Sequence, residues 1–222
     1  MPLIYTSMFI LLSLFSSLEP KPKLIYIGDP MCSWCYGIAP ELEELKTHYE
    51  EELTFEIIMG GLRPYNTQAI TELKDFLIEH WEEVESRSGQ EFNSEILNSS
   101  NIPYDTEPPS RAVAIVRSMN PSKAFDFFHA CQKAFYYENL NLNEVASYKN
   151  AIKTAGLDFQ SFKTKFESAE WKAKIKEDFE RAGKLGVRSF PTILLEKNNE
   201  LYVISQGYSK KEDMVKRIQK VR

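Results

Sequence analysis

Two cysteines, Cys32 and Cys35, stand two residues apart in Asp29-Pro30-Met31-Cys32-Ser33-Trp34-Cys35. Sulfurs at that spacing can close a disulfide within one helical turn and open it again, which suits exchange with other thiols and disulfides. An apolar run, Leu24-Ile25-Tyr26-Ile27-Gly28, precedes them, and a helical pattern follows. A cysteine at a helix N terminus has its thiolate stabilised by free backbone N–H groups and the helix dipole. Cys32 is therefore the expected nucleophile and the more exposed sulfur. Cys35, one turn further in, is the expected resolving thiol. A static disulfide is a poor alternative, because closing so short a loop removes little unfolded-state entropy. Zinc would need more ligands, and only His129 and Cys131 cluster elsewhere. Residues i and i+2 of a helix point about 200° apart, so those two cannot face one metal, and no metal site is expected.

The elements that must position the pair can be read along the chain. Lys23 to Gly28 reads as a buried strand. The helix after Cys35 carries Ile38, Leu42, Leu45 and Tyr49 on one face, and Pro40 should kink it. Leu53 to Met59 reads as a second strand, ended by Gly60-Gly61, so the first 60 or so residues hold a βαβ unit. Helical patterns follow over Ala69 to Glu85, Ser110 to Met119, Asn120 to Tyr137, Asn143 to Thr154, Asp158 to Glu167 and Glu170 to Lys184. The Pro-rich stretch Asn101 to Pro109 reads as a loop. Thr192 to Glu196 and Leu201 to Ser205 form a hairpin around Lys197-Asn198-Asn199-Glu200. Ser209-Lys210-Lys211-Glu212 has the spacing of a capping box for a last helix striped by Met214, Ile218 and Val221.

Composition narrows the function. The chain has 222 residues, 43% hydrophobic and 13% aromatic, which is ample for a packed core, and a net charge of −5, which argues against a nucleic-acid partner. No apolar run reaches the roughly 18 residues of a membrane span. No glycine-rich nucleotide loop is present. Three cysteines cannot all pair within one chain, so a secreted disulfide framework is not expected. Cys131 is expected to be a buried helix thiol. Met8 to Phe15 resembles the apolar part of a signal peptide, but Met1 to Ser7 carries no Lys or Arg. A cytoplasmic location is expected, with export the alternative if residues 1–20 act as a signal segment.

The element order resembles the thioredoxin fold with a large helical insertion between its second and third strands, an α/β architecture that belongs to the DsbA-like family. Asp29 to Gly37 is similar to the active-site segment of the FrnE-like subgroup of DsbA-type thiol–disulfide oxidoreductases. Gly60-Gly61-Leu62-Arg63 is similar to the segment after that subgroup's second strand. Gly186-Val187-Arg188-Ser189-Phe190-Pro191-Thr192 resembles the family's cis-proline loop, and Pro40 its helix-kinking proline. The resemblance covers about residues 22–222. It implies an N-terminal extension at 1–21, a first thioredoxin half at 22–62, the insertion at 63–185 and a second half at 186–222. It also implies that Pro191 is cis and lies against the cysteines, and that Phe190 offers its main chain to an extended substrate. Two positions depart from the family. The residues between the cysteines are Ser33-Trp34, without the histidine of the strongly oxidising periplasmic enzymes. Six residues before Cys32, where thioredoxin and DsbA carry a buried acid, stands Tyr26, and the nearest carboxylate is Asp29.

The expected function is thiol–disulfide oxidoreductase or protein disulfide isomerase chemistry on cysteine-containing proteins. Cys32 and Cys35 are the catalytic pair; Pro191, Phe190 and Trp34 bind substrate. No bound cofactor is expected, with glutathione or a redox partner protein supplying or taking electrons. Trp34, Met31, Tyr36 and Phe190 are expected to rim Cys32. Phe125, Phe128, Phe135 and Tyr136 are expected in the insertion core. Two other functions compete. One is a glutathione-dependent small-molecule isomerase or transferase, whose members usually carry Ser at the first cysteine. The other is a polypeptide-binding chaperone in which the cysteines are incidental.

Overall fold

The computed structural model describes residues 20–99 and 102–221. The candidate signal segment, up to residue 19, lies outside them. Strand β1 (Lys23–Gly28) leads to helices α1 (Ser33–Gly37) and α2 (Ala39–His48), then to β2 (Thr54–Met59). Helices α3 (Lys74–Ser88), α4 (Glu107–Met119), α5 (Ala124–Tyr136), α6 (Lys149–Thr154), α7 (Phe159–Glu167) and α8 (Ala169–Lys184) follow. The chain closes with β3 (Thr192–Lys197), β4 (Glu200–Gln206) and α9 (Lys211–Val221). The sheet order is β2-β1-β3-β4, with β1 parallel to β2 and antiparallel to β3. This is the thioredoxin fold with helices inserted between its second and third strands.

The apolar run of β1 serves two layers, since successive side chains point to opposite faces. Leu24 and Tyr26 enter the main core, while Ile25 and Ile27 enter a smaller one with Ile58, Leu194 and Ala182 of α8. A strand covered on both faces needs a continuous apolar run rather than an alternating one. The hairpin turn places Asn198 and Asn199 at φ 52° and 62°, the left-handed pair that a two-residue connection requires and asparagine tolerates.

Several boundaries differ from the sequence reading. Pro40 does not kink one helix: the chain breaks at Ile38, and Pro40 sits in the first turn of α2, where its missing N–H has no partner to lose. Helix α4 begins at Glu107 rather than Ser110, because Pro108 and Pro109 occupy its first turn. Ile70–Leu73 and Val145–Tyr148 are 3-10 turns that precede shorter α-helices. At the start of α9, the Lys211 N–H donates to Glu41 of α2 at 2.8 Å, so a distant carboxylate supplies a cap there.

Candidate active site

Cys32 is the N-cap residue of α1, with extended backbone at φ −90° and ψ 115°. A turn closed by its own N–H on the Asp29 carbonyl, at 3.1 Å, sets it there. The two cysteines are unbridged, and they differ in access: Cys32 is 5% exposed and Cys35 is fully buried. Burial pushes the Cys35 thiol well above its ordinary pKa, and the hydrogen bond to Cys32 and the charge that sulfur can carry push the same way. The hydroxyl of Tyr26 and the main chain of Asp29 act against this rise. Cys131, on α5, is buried with no charged partner acting on it, and burial alone pushes its thiol upward. It is a small apolar core residue.

The chain returns to Cys32 at the loop before β3. The Phe190–Pro191 peptide is cis, and the Cys32 sulfur lies 3.6 Å from the Phe190 carbonyl oxygen. The Phe190 ring turns away from that contact and lies on Gly60, where a Cβ would stand 2.0 Å from it. The glycine after β2 therefore leaves the space that the Phe190 ring occupies.

The expected rim is half as large as the sequence suggested. Trp34 and Phe190 are partly buried at the surface, but Met31 and Tyr36 are core residues. Tyr36 stacks on Tyr136 at 5.0 Å and meets Phe92 edge-on at 5.1 Å. It points inward because α1 packs against the inserted helices, whose aromatic cluster, including Phe125, Phe128, Phe135 and Tyr136, is buried as expected. Trp34 instead meets His80 edge-on at 5.8 Å and carries the Arg87 guanidinium 5.1 Å above its ring. With Arg87, Gln206, Gly207 and Tyr208 it lines a surface pocket of about 350 Å³.

Behind Cys32 lies a carboxylate. Asp29 is fully buried. It accepts from the Met31 N–H at 2.9 Å and the Leu62 N–H at 2.7 Å. Thr106 accepts the Arg63 N–H at 3.0 Å, which leaves its hydroxyl proton for Asp29. Burial raises the Asp29 carboxyl to about 6, against the pull of these donors. The Tyr104 hydroxyl donates to the Met31 carbonyl at 2.7 Å. Tyr104, Thr106 and Arg87 were not foreseen from the sequence. They come from the inserted helices and their loops, far from the cysteines along the chain, and no local pattern marks them.

The family model described as Thioredoxin matches residues 25–214. A candidate protein disulfide isomerase from Nitrosomonas europaea is 34% identical with a TM-score of 0.82, over 90% of this chain and 97% of that one. The cytosolic disulfide reductase DsbM from Pseudomonas aeruginosa has the same fold, with a TM-score of 0.72 at 23% identity over 90% of this chain and 98% of that one. That reductase is also known in a structure with GSH. The ClpXP adapter protein SpxH of Bacillus subtilis (strain 168) is 24% identical over 78% of this chain and 58% of its own length. This chain thus spans less than two thirds of that relative. With a dithiol at the start of α1, a cis-proline loop against it and helices inserted between β2 and β3, the chain belongs to the thioredoxin family, among its DsbA-like thiol–disulfide oxidoreductases.

Proposed function

We propose that the chain exchanges disulfides with cysteine-containing proteins through Cys32 and Cys35. The observation that carries this reading is the placing of the two sulfurs. Cys32 heads α1 beside the Phe190 carbonyl, and Cys35 lies one turn behind it with no exposure. In the reductive direction the Cys32 thiolate attacks one sulfur of a substrate disulfide. A Cys32–substrate bond forms as the substrate bond breaks, and one substrate sulfur leaves as thiolate. The Cys35 thiolate then attacks Cys32, the Cys32–Cys35 bond forms, and the second substrate sulfur leaves. The substrate gains two electrons, and the two cysteine protons end on its thiols. An external thiol, glutathione or a partner protein, returns the pair to the dithiol. Isomerisation is the same first step followed by attack of a substrate thiol in place of Cys35.

In this proposal Phe190 offers its carbonyl to an extended substrate backbone, Pro191 holds that carbonyl in place, and Trp34 gives an apolar contact. The pocket beside Trp34, with the Arg87 guanidinium at its wall, suits a carboxylate-bearing thiol such as glutathione as the returning reductant. A reducing compartment, the cytoplasm, fits that supply. A small-molecule isomerase has no use for a buried second thiol, and a chaperone has no use for either.

A trapping experiment tests the reading. Cys35→Ser should accumulate mixed disulfides through Cys32 with an oxidised protein substrate, and Cys32→Ser should form none. Cys131→Ser should retain wild-type turnover. Absence of adducts in Cys35→Ser, or equal loss on changing Cys131, overturns it.

A further inference from the structure

We infer that the outward face of α3 is a docking strip for the protein substrate, and that it takes aromatic side chains lying within about four residues of the reacting cysteine. This deepens the dithiol reading above and rests on it.

Helix α3 buries Leu77, Trp81 and Val84. It leaves Phe76, His80 and Arg87 towards solvent, at spacings i, i+4 and i+11 that lie along one side of a helix. Phe76 is 62% exposed, the most exposed phenylalanine, tyrosine or tryptophan among the described residues. One such ring on a surface means little by itself. This one is joined ring by ring to the active site. Phe76 stacks on His80 at 5.7 Å, His80 meets Trp34 edge-on at 5.8 Å, and Trp34 lies 6.2 Å from Tyr208. Arg87, paired with Glu83 at 3.6 Å, sits 5.1 Å over the Trp34 ring and helps to hold it.

The place of the strip in the fold says what covers it. It reaches Trp34, between the two cysteines, so a chain joined to Cys32 as a mixed disulfide runs past it. The ring spacing says how such a chain lies. Same-face side chains of an extended segment recur at about 6.8 Å, close to the ring-to-ring steps of the strip. A segment that sets one side chain on Trp34 therefore brings its next same-face side chains over His80 and Phe76. Aromatic side chains suit this surface, because edge-on and offset ring pairs gain more than their buried area alone gives. The Phe190 carbonyl, beside the Cys32 sulfur, serves the substrate main chain, and the strip reads side chains further out.

Two symmetric peptide disulfides test this. Each is a homodimer of one nonapeptide with a central cysteine, so attack at either sulfur gives the same products. The two differ only in carrying Phe or Ser at the second and fourth positions on both sides of the cysteine. The second-order rate at which the reduced wild type releases peptide thiol should be about fivefold higher for the Phe peptide, the gain of one ring contact. Phe76→Ser should bring this ratio close to one, and Phe76→Tyr should keep it. Both rates are read in the same variant, so any loss of folded protein cancels. Val203→Ser, which removes an equally exposed apolar side chain from β4, should leave the ratio unchanged. A ratio near one in the wild type, a ratio unmoved in Phe76→Ser, or one lost in Val203→Ser overturns the inference. So does a smaller sedimenting mass for Phe76→Ser than for the wild type, which would make a second copy the occupant. A second arm needs no thiol chemistry. In a Cys32→Ser, Cys35→Ser double variant, single-chain analogues of the two peptides with Ser for the cysteine should bind with the same preference, and Phe76→Ser should remove it. If that preference is found but the wild type reduces neither disulfide, the strip stands and the proposed function falls.

Discussion

Asp29 is a carboxylate held three residues before Cys32 with no exposure, and its position has a pH signature. Its carboxyl is raised from 3.8 to about 6, first by burial and then by the charge of Asp105, against the donors from Leu62, Met31 and Thr106. Tyr26, Tyr104 and Tyr136 face it as well and remain neutral in this range. Folding therefore favours the protonated form. The stability it contributes is complete below about pH 4 and is lost as pH rises through 6, by roughly 3 kcal/mol at about 1.4 kcal/mol per pH unit. Urea unfolding of the wild type should show stability from this source rising between pH 7.5 and 5. Asp29→Asn should lack that rise, at a fixed cost from facing its own NH₂ to one of the two main-chain donors. A variant with the same pH slope as the wild type would place the titration elsewhere. Asp29 also marks where the sequence stops being informative about the site. The placing of Cys32 and Cys35 on α1 and the cis bond at Pro191 were legible because adjacent residues carry the pattern. The partners Thr106 and Tyr104 were not, since a threonine or tyrosine some 70 residues away carries no mark of the turn it will brace.

Among the elements, the Arg117–Asp178 ion pair joins α4 to α8 and fastens both to the sheet, where Arg181 of α8 also pairs with Glu56 of β2. Arg117 of α4 donates to Asp178 of α8 at 2.7 and 2.8 Å and to the Ile57 carbonyl of β2 at 2.7 Å. Asp178 also accepts the Met59 N–H at 3.0 Å. The Asp178 side chain is 11% exposed and that of Arg117 28%, so screening is incomplete. Arg117→Leu leaves a buried carboxylate without its counter-charge and should cost about 3 kcal/mol in urea unfolding, the lower end for breaking a buried pair. Adding Asp178→Asn should recover part of that loss; a double variant as unstable as the two single losses summed would show that the pair does not act as a unit. The sequence marked both helices but not this joint, because an arginine and an aspartate on separate amphipathic helices look like solvated charges. Element boundaries failed for equally local reasons. Two prolines read as loop are tolerated in the first turn of α4, and a four-residue 3-10 turn differs too little in period from an α-helix to be separated by pattern. Strand β1, by contrast, was read to its end residues, because an apolar run stopped by Gly28-Asp29-Pro30 admits few other readings.

Over the whole molecule, the inserted helices and the thioredoxin half share one continuous core. Leu24 of β1, Cys35 of α1, Trp81 of α3, Phe128 of α5, Phe162 of α7 and Met214 of α9 all belong to it. The active-site turn is held from both sides, by the Leu62 N–H on Asp29 and by Tyr104 on the Met31 carbonyl. A core without a seam gives no place for one half to open while the other stays closed, so unfolding should be a single cooperative event. The three tryptophans report on separate parts: Trp34 on the active-site helix, Trp81 on α3 and Trp171 on α8. In three variants that each keep one tryptophan, with Phe at the other two positions, the fluorescence transition in urea should coincide with the far-ultraviolet circular dichroism transition of the same variant. Absolute midpoints will differ, since Trp81 and Trp171 are buried and their loss costs stability, but within a variant the two probes should superimpose. A Trp81 signal lost at lower urea than the helical signal would mean that the inserted helices melt first. The active-site turn would then lose the Tyr104 contact before the sheet unfolds, and the shared core would have to be divided in two.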